Sequence, residues 1–283
     1  MKRQNGLFYI IGLSVALGLC LVPGTVGAQN IAWDMVNSTS QNLVSYSTDA
    51  PEFSSPGDGF KIYQVGVSPS IPYALVDDSA AVFPADENGI IDSNSDFHEF
   101  FGICDTYNDD NPTSSDYHAT WVFDISSAVG EVTLLLDLAA MGEFDVIDSE
   151  GVDDRFAWTY QVDAGPVMTV FSASVDETGS QTYTLANGTT QVLDRPLVVN
   201  GTTLSNQFQT FATSIAAGSQ VTVILEAFTN GGSEGYAARN ILVTNYDPAQ
   251  GGGEPIPTLS WTGIAAMALM LMAGAVVLFR RLR

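Results

Sequence analysis

Three stretches of the chain alternate with a two-residue period, and they constrain its fold more than any other feature. In Glu131–Leu138, Val132, Leu134, Leu136 and Leu138 fall on one side and Thr133, Leu135 and Asp137 on the other. In Arg155–Val162, Phe156, Trp158, Tyr160 and Val162 oppose Ala157, Thr159 and Gln161. In Gln220–Phe228, Val221, Val223, Leu225 and Ala227 oppose Thr222, Ile224, Glu226 and Phe228. Successive side chains of a strand point to opposite faces, so each stretch predicts a strand with one buried face. Residues 121–125, 167–172, 207–213 and 239–246 read as further strands. Asp163-Ala164-Gly165-Pro166, Asn187-Gly188, Asn200-Gly201, Ala217-Gly218 and Gly231-Gly232 supply the turns. No helical period of useful length appears. The reading is all-β: a single antiparallel β-sandwich or jelly roll over residues 29–246. Residues 29–96, with Pro51, Pro56, Pro69, Pro72 and Pro84, are expected to add peripheral strands.

The two ends read differently. Residues 1–28 hold Lys2 and Arg3, an apolar run from Leu7 to Val22, and Val26-Gly27-Ala28. This is the pattern of a secretory signal peptide cut by signal peptidase between Ala28 and Gln29. Cys104 is then the one cysteine of the exported part, so the core, not a disulfide, must hold the fold. All 32 Asp and Glu lie between the apolar ends, against Lys61, Arg155, Arg195 and Arg239. A field of that sign repels phosphate backbones and excludes nucleic acid as a partner. Residues 247–255 form a Gly-rich linker. From Trp261 to Phe279 there is no charge, a reach of about 28 Å as a helix and enough to cross a membrane. Arg280, Arg281 and Arg283 form a cytoplasmic membrane stop.

Ile256-Pro257-Thr258-Leu259-Ser260 abuts that span. Motif, span and basic end (residues 256–283) resemble the IPTL-CTERM sorting signal, a relative of PEP-CTERM. The resemblance implies that an exosortase-type membrane protease cuts the tail near Pro257-Thr258 and passes the ectodomain to the cell surface. The protein would first be an inner-membrane, single-span intermediate with its ectodomain in the periplasm. Residues 97–246 resemble, more loosely, jelly-roll modules of secreted bacterial proteins. Ala238-Arg239-Asn240-Ile241 stands where those modules end in Ala-Phe-Asp-Asn-Ile, and Arg239 replaces an Asp that in many of them helps hold Ca²⁺.

Candidate chemistry is sparse. Glu143, Asp145, Asp148, Glu150, Asp153 and Asp154 crowd one loop, and Asp105, Asn108, Asp109 and Asp110 another. Ca²⁺ takes six to eight oxygens, and Asp145, Asp148, Glu150, Asp153 and Asp154 are the Ca²⁺ ligand candidates, with solvated acidic turns as the alternative. His98, Cys104 and His118 fit no metal or nucleophile spacing. No catalytic residue is assigned. The expectation is an exported, non-enzymatic β-sandwich that binds glycan or matrix. The alternatives are a structural envelope protein without a small ligand and a secreted hydrolase.

Overall fold

The computed structural model describes residues 29–84, 88–111, 116–146 and 153–245. The signal peptide up to Ala28, the linker, the sorting motif, the apolar span and Arg280, Arg281 and Arg283 lie outside the described residues. Among the described residues no helix is long and apolar enough to cross a membrane.

The described strands are β1 (Asn30–Val36), β2 (Thr39–Gln41), β3 (Leu43–Thr48), β4 (Gly59–Gln64), β5 (Val76–Asp77), β6 (Ile91–Asp92), β7 (Glu99–Cys104), β8 (Tyr117–Asp124) and β9 (Val132–Met141). They continue as β10 (Arg155–Val162), β11 (Val167–Val175), β12 (Ser180–Thr184), β13 (Thr190–Asp194), β14 (Leu197–Val199), β15 (Thr202–Thr203), β16 (Gln209–Ile215), β17 (Gln220–Phe228) and β18 (Gly235–Thr244). A 3-10 turn spans Tyr73–Leu75. One sheet runs β16-β9-β18-β1-β2, with β7 also on β18 and β4 on β7. The facing sheet runs β15-β14-β11-β10-β17-β8-β3. Every pairing within these two sheets is antiparallel.

The alternating faces meet between the sheets. Val132, Leu134, Leu136 and Leu138 are fully buried, and so are Val221, Val223, Leu225 and Ala227. Trp121 and Trp158 stack at the centre, with ring centroids 5.7 Å apart and planes 22° apart. A buried indole N–H needs an acceptor. Trp158 donates to the Tyr236 hydroxyl at 2.9 Å, and Trp121 donates to Asp34 Oδ2 at 3.0 Å. Burial raises the pKa of Asp34 despite that bond.

The turns follow from residue type. Asn200 and Gly201 both take positive φ (49° and 78°) between β14 and β15. That is the two-residue hairpin geometry that matches strand twist. Asn240 also takes φ 52°, where β18 bulges between Arg239 and Leu242.

Residues 29–96 supply three edge strands, β2, β3 and β4, and also reach inside a sheet. β1 sits inside its sheet, between β18 and β2, because Ile31, Ala32 and Met35 are apolar enough to join the core. Leu75 and Ile91 cover the outer face of the same sheet together with Tyr183 from the β12–β13 hairpin. They pack on Phe100 and Met141 in a second core. Gly102 makes this approach possible, since a Cβ there would lie 2.5 Å from Leu75 Cδ1. A Pro-rich segment therefore becomes a lid over a sheet face that would otherwise be wet and apolar.

Candidate ligand cleft at the loop end

At one end of the sandwich the β9–β10 and β17–β18 loops meet the end of β13. They frame a cleft of about 420 Å³ lined by Asn88, Glu143, Leu193, Arg195 and the Gly231–Glu234 turn. Arg195 lines it from the end of β13. It takes φ 53° just after β13, and its carbonyl accepts the Phe144 N–H at 3.1 Å. Its guanidinium bonds Asp145 and lies 3.9 Å from Glu143. Tyr73, 44% exposed, lies against Gly232, where an added Cβ would meet its hydroxyl at 3.0 Å. Sequence reasoning passed over Tyr73 and Arg195. An aromatic beside Pro72, and an Arg in a chain so poor in cations, were the available signals.

Beneath the cleft, Asp154 and Glu234 are 7% and 6% exposed. Asp154 Oδ2 accepts the Asp145 N–H at 2.6 Å, and Oδ1 accepts the Asn230 N–H at 3.3 Å. Glu234 Oε2 accepts the Thr229 hydroxyl at 3.2 Å, and the two carboxyls hydrogen-bond each other. Burial, then the neighbouring Asp154 and Asp145 charges, push Glu234 far above the usual carboxyl range, and burial raises Asp154 as well. Two carboxylates this close cannot both ionise, so one proton is held between them at neutral pH. Gly142, at φ 153°, gives them room: a Cβ there would lie 2.8 Å from Glu234 Cα.

The Ca²⁺ candidates part company here. Asp148 and Glu150 lie outside the described residues. Asp145 faces Arg195, Asp153 meets Arg155 at 2.5 Å, and Asp154 is buried with Glu234. Two guanidinium partners and a shared proton already serve these acids. Among the described residues no three His, Cys, Asp or Glu are grouped to hold a metal. In the other acidic loop Asn108 Oδ1 accepts the N–H groups of Asp110 and Asn111 at 2.9 and 3.0 Å, closing the loop on itself. Burial there lifts Asp105 to about 6.

His98, Cys104 and His118 do not form a site. His98 Nδ1 lies 3.1 Å from Asp96, beside one sheet. His118, on the other sheet, lies 2.8 Å from Asp49 and 3.4 Å from Glu226. Cys104 is fully buried, and burial pushes its thiol well above the ordinary range, the opposite of an activated nucleophile. Arg239, in place of the Asp of the jelly-roll pattern, pairs with Asp96 at 2.6 Å and stacks on Phe208 at 3.9 Å.

The chain matches no protein-family model and no curated protein. Solved structures are similar to it only at great distance. The K3 cleaved adhesin domain of Lys-gingipain from Porphyromonas gingivalis is 12% identical, with a TM-score of 0.33 over 77% of this chain and 99% of that one. The CBM22-1–GH10 modules of Clostridium thermocellum xylanase 10B, complexed with xylohexaose, are 5% identical, with a TM-score of 0.32 over 80% of this chain and 30% of that one. The enzymatically active domain of bacteriophage CBA120 tailspike protein 4 is 11% identical, with a TM-score of 0.29 over 72% of this chain and 19% of that one. Similarity this distant transfers neither a ligand nor an activity.

Proposed function

We propose that this chain is a non-catalytic, surface-displayed β-sandwich of the jelly-roll kind that binds a glycan or matrix saccharide in the loop-end cleft. The observation that carries the reading is the juxtaposition of an exposed aromatic, Tyr73, with a polar cleft that presents Asn88, Glu143, Arg195 and Ser233. Saccharide sites pair an aromatic face for the apolar side of the ring with a few convergent polar groups for its hydroxyls. A cleft of about 420 Å³ suits one or two sugar units. The non-catalytic reading rests on Asp154 and Glu234. A glycosidase holds its two carboxyls about 5 Å or more apart with the sugar between them. This pair is hydrogen-bonded to itself and more than nine-tenths buried.

Export, membrane anchorage and release by an exosortase-type protease complete the proposal, carried by Ala28-Gln29 and by Ile256-Pro257-Thr258-Leu259-Ser260 before the apolar span. Mass spectrometry of the mature C-terminus tests this part. A new end near Pro257-Thr258 in the outer-surface fraction supports sorting, and an intact Arg283 in the inner membrane overturns it. A glycan array with the full chain tests the binding part. Hits that disappear in Tyr73→Ala and Arg195→Ala support it; no hit, or hits indifferent to both substitutions, turns the reading toward a structural envelope role.

A further inference from the structure

From Pro196 to Leu225 the chain holds no Asp, Glu, Lys, Arg or His, the longest such stretch between the two apolar ends. It builds β14, β15 and β16, so it supplies the edge strand of both sheets on one side of the sandwich. Open edges expose unpaired backbone groups and are usually protected by brevity, bulges, prolines or charge. The other edges of these two sheets carry such protection. β15 has two residues. β2 has three and shifts register against β1. β3 shifts register against β8 between Leu43 and Ser45. β4 carries Lys61, paired with Glu52 at 2.9 Å.

β16 has none of these. Its seven residues pair in unbroken register with β9, from Gln209 on Leu138 to Ile215 on Val132. Among the described residues no strand covers its other side. Its most exposed positions, Thr210, Ala212 and Ser214, are small and uncharged.

Charge decides what fits there. The formal net charge is −23, and copies repel wherever their acidic surfaces meet. The described cations are Lys61, Arg155, Arg195 and Arg239, and each is already ion-paired within its own chain. No described cation is free to bridge to an acid of another copy. The neutral edge is where two copies can approach at least cost: the nearest carboxylate, Asp137 on β9, is already bonded by the Thr210 hydroxyl and the Asn240 amide, each at 2.6 Å.

We propose that β16 is a self-association edge, pairing antiparallel with the same strand of a second copy about a twofold axis near Ala212. Such an isologous contact makes the β9-containing sheets continuous across the two copies. It also puts two loop-end clefts in one assembly, which raises avidity for a repeating ligand. The pairing itself does not depend on what the cleft binds.

The test uses the full chain in detergent micelles. Cys104 is fully buried and Cys20 is changed to Ser in every variant, so the added cysteine is the accessible thiol. Ala212→Cys treated with a short bismaleimide is expected to give a cross-linked dimer. Val44→Cys, 58% exposed on the β3 edge, is expected to give none. Adding Thr210→Lys and Ser214→Lys to Ala212→Cys is expected to lower the cross-linked yield about tenfold by placing like charges opposite each other. Sedimentation of the unsubstituted chain should show a dimer that the double-lysine variant loses while keeping its melting transition. A monomer at all concentrations, equal cross-linking from Val44→Cys, or a dimer that persists with both lysines overturns the proposal.

Discussion

The interior between the sheets and the loop end are built on opposite terms. The interior is apolar, and both of its central indole N–H groups are bonded, Trp158 to Tyr236 and Trp121 to Asp34. Its contribution rises with the area removed from water. The loop end buries Asp154 against Glu234 and balances Arg195 between Asp145 and Glu143. Burying a carboxyl costs free energy unless a proton or partner neutralises it. Such a region adds little net stability and makes the local structure depend on pH. The comparison teaches where to look for each property: folding strength between the sheets, recognition at the loops, which a rigid sandwich can hold in place.

Four outcomes would sharpen or break this contrast. Trp158→Ala should cost about 4 kcal/mol in chemical denaturation, at acidic and neutral pH alike, because it empties the centre of the core. Phe100→Ala, in the second core, should cost about 3 kcal/mol; a value near zero would mean that the segment bearing Leu75 and Ile91 rests loosely on its sheet.

Glu234→Gln should act through pH. Burial lifts this carboxyl from its ordinary 4.5 to about 9, so between those values the folded chain holds a proton that the unfolded chain has released. Its contribution is fully present below about 4.5 and is lost as pH rises toward 9. Thermal melts of the unsubstituted chain should therefore fall across that window. Glu234→Gln should fall less steeply and melt roughly 5 °C higher at pH 8. Parallel curves would contradict the shared proton.

Arg195→Ala should change stability by only about 1 kcal/mol, since its side chain is 38% exposed and its ion pairs are screened. A larger loss in a melt would make Arg195 a structural clamp and not a recognition group.

The parts legible in the sequence are those with a local signal. Val132 to Leu138 and Phe156 to Trp158 announced their buried face by alternation, and Asn200-Gly201 announced its hairpin by φ preference. Tyr160 and Val162 continue the same face but are only half-buried, because alternation reports direction and not depth. The covering role of Leu75 and Ile91 left no periodic trace, since two short strands and a 3-10 turn carry it among prolines. The Asp154–Glu234 pair was hidden for another reason. In a chain with 32 acids, proximity in sequence says nothing about which two carboxyls a fold brings together. Asp153 and Asp154 are neighbours, yet one meets Arg155 near the surface and the other is buried. Arg239 shows the same limit. Its position was readable as a departure from a jelly-roll pattern, but its partners Asp96 and Phe208 come from distant segments.

The central claim is that the loop end recognises a ligand while the interior holds the fold. Its most direct test is calorimetric titration of an array-selected saccharide into the unsubstituted chain, Tyr73→Ala and Arg195→Ala, with a melting curve for each. The account predicts binding to the unsubstituted chain, at least about a tenfold loss in each variant, and melts that differ little. Binding that survives both substitutions, or that fails only in step with the melting temperature, would contradict it.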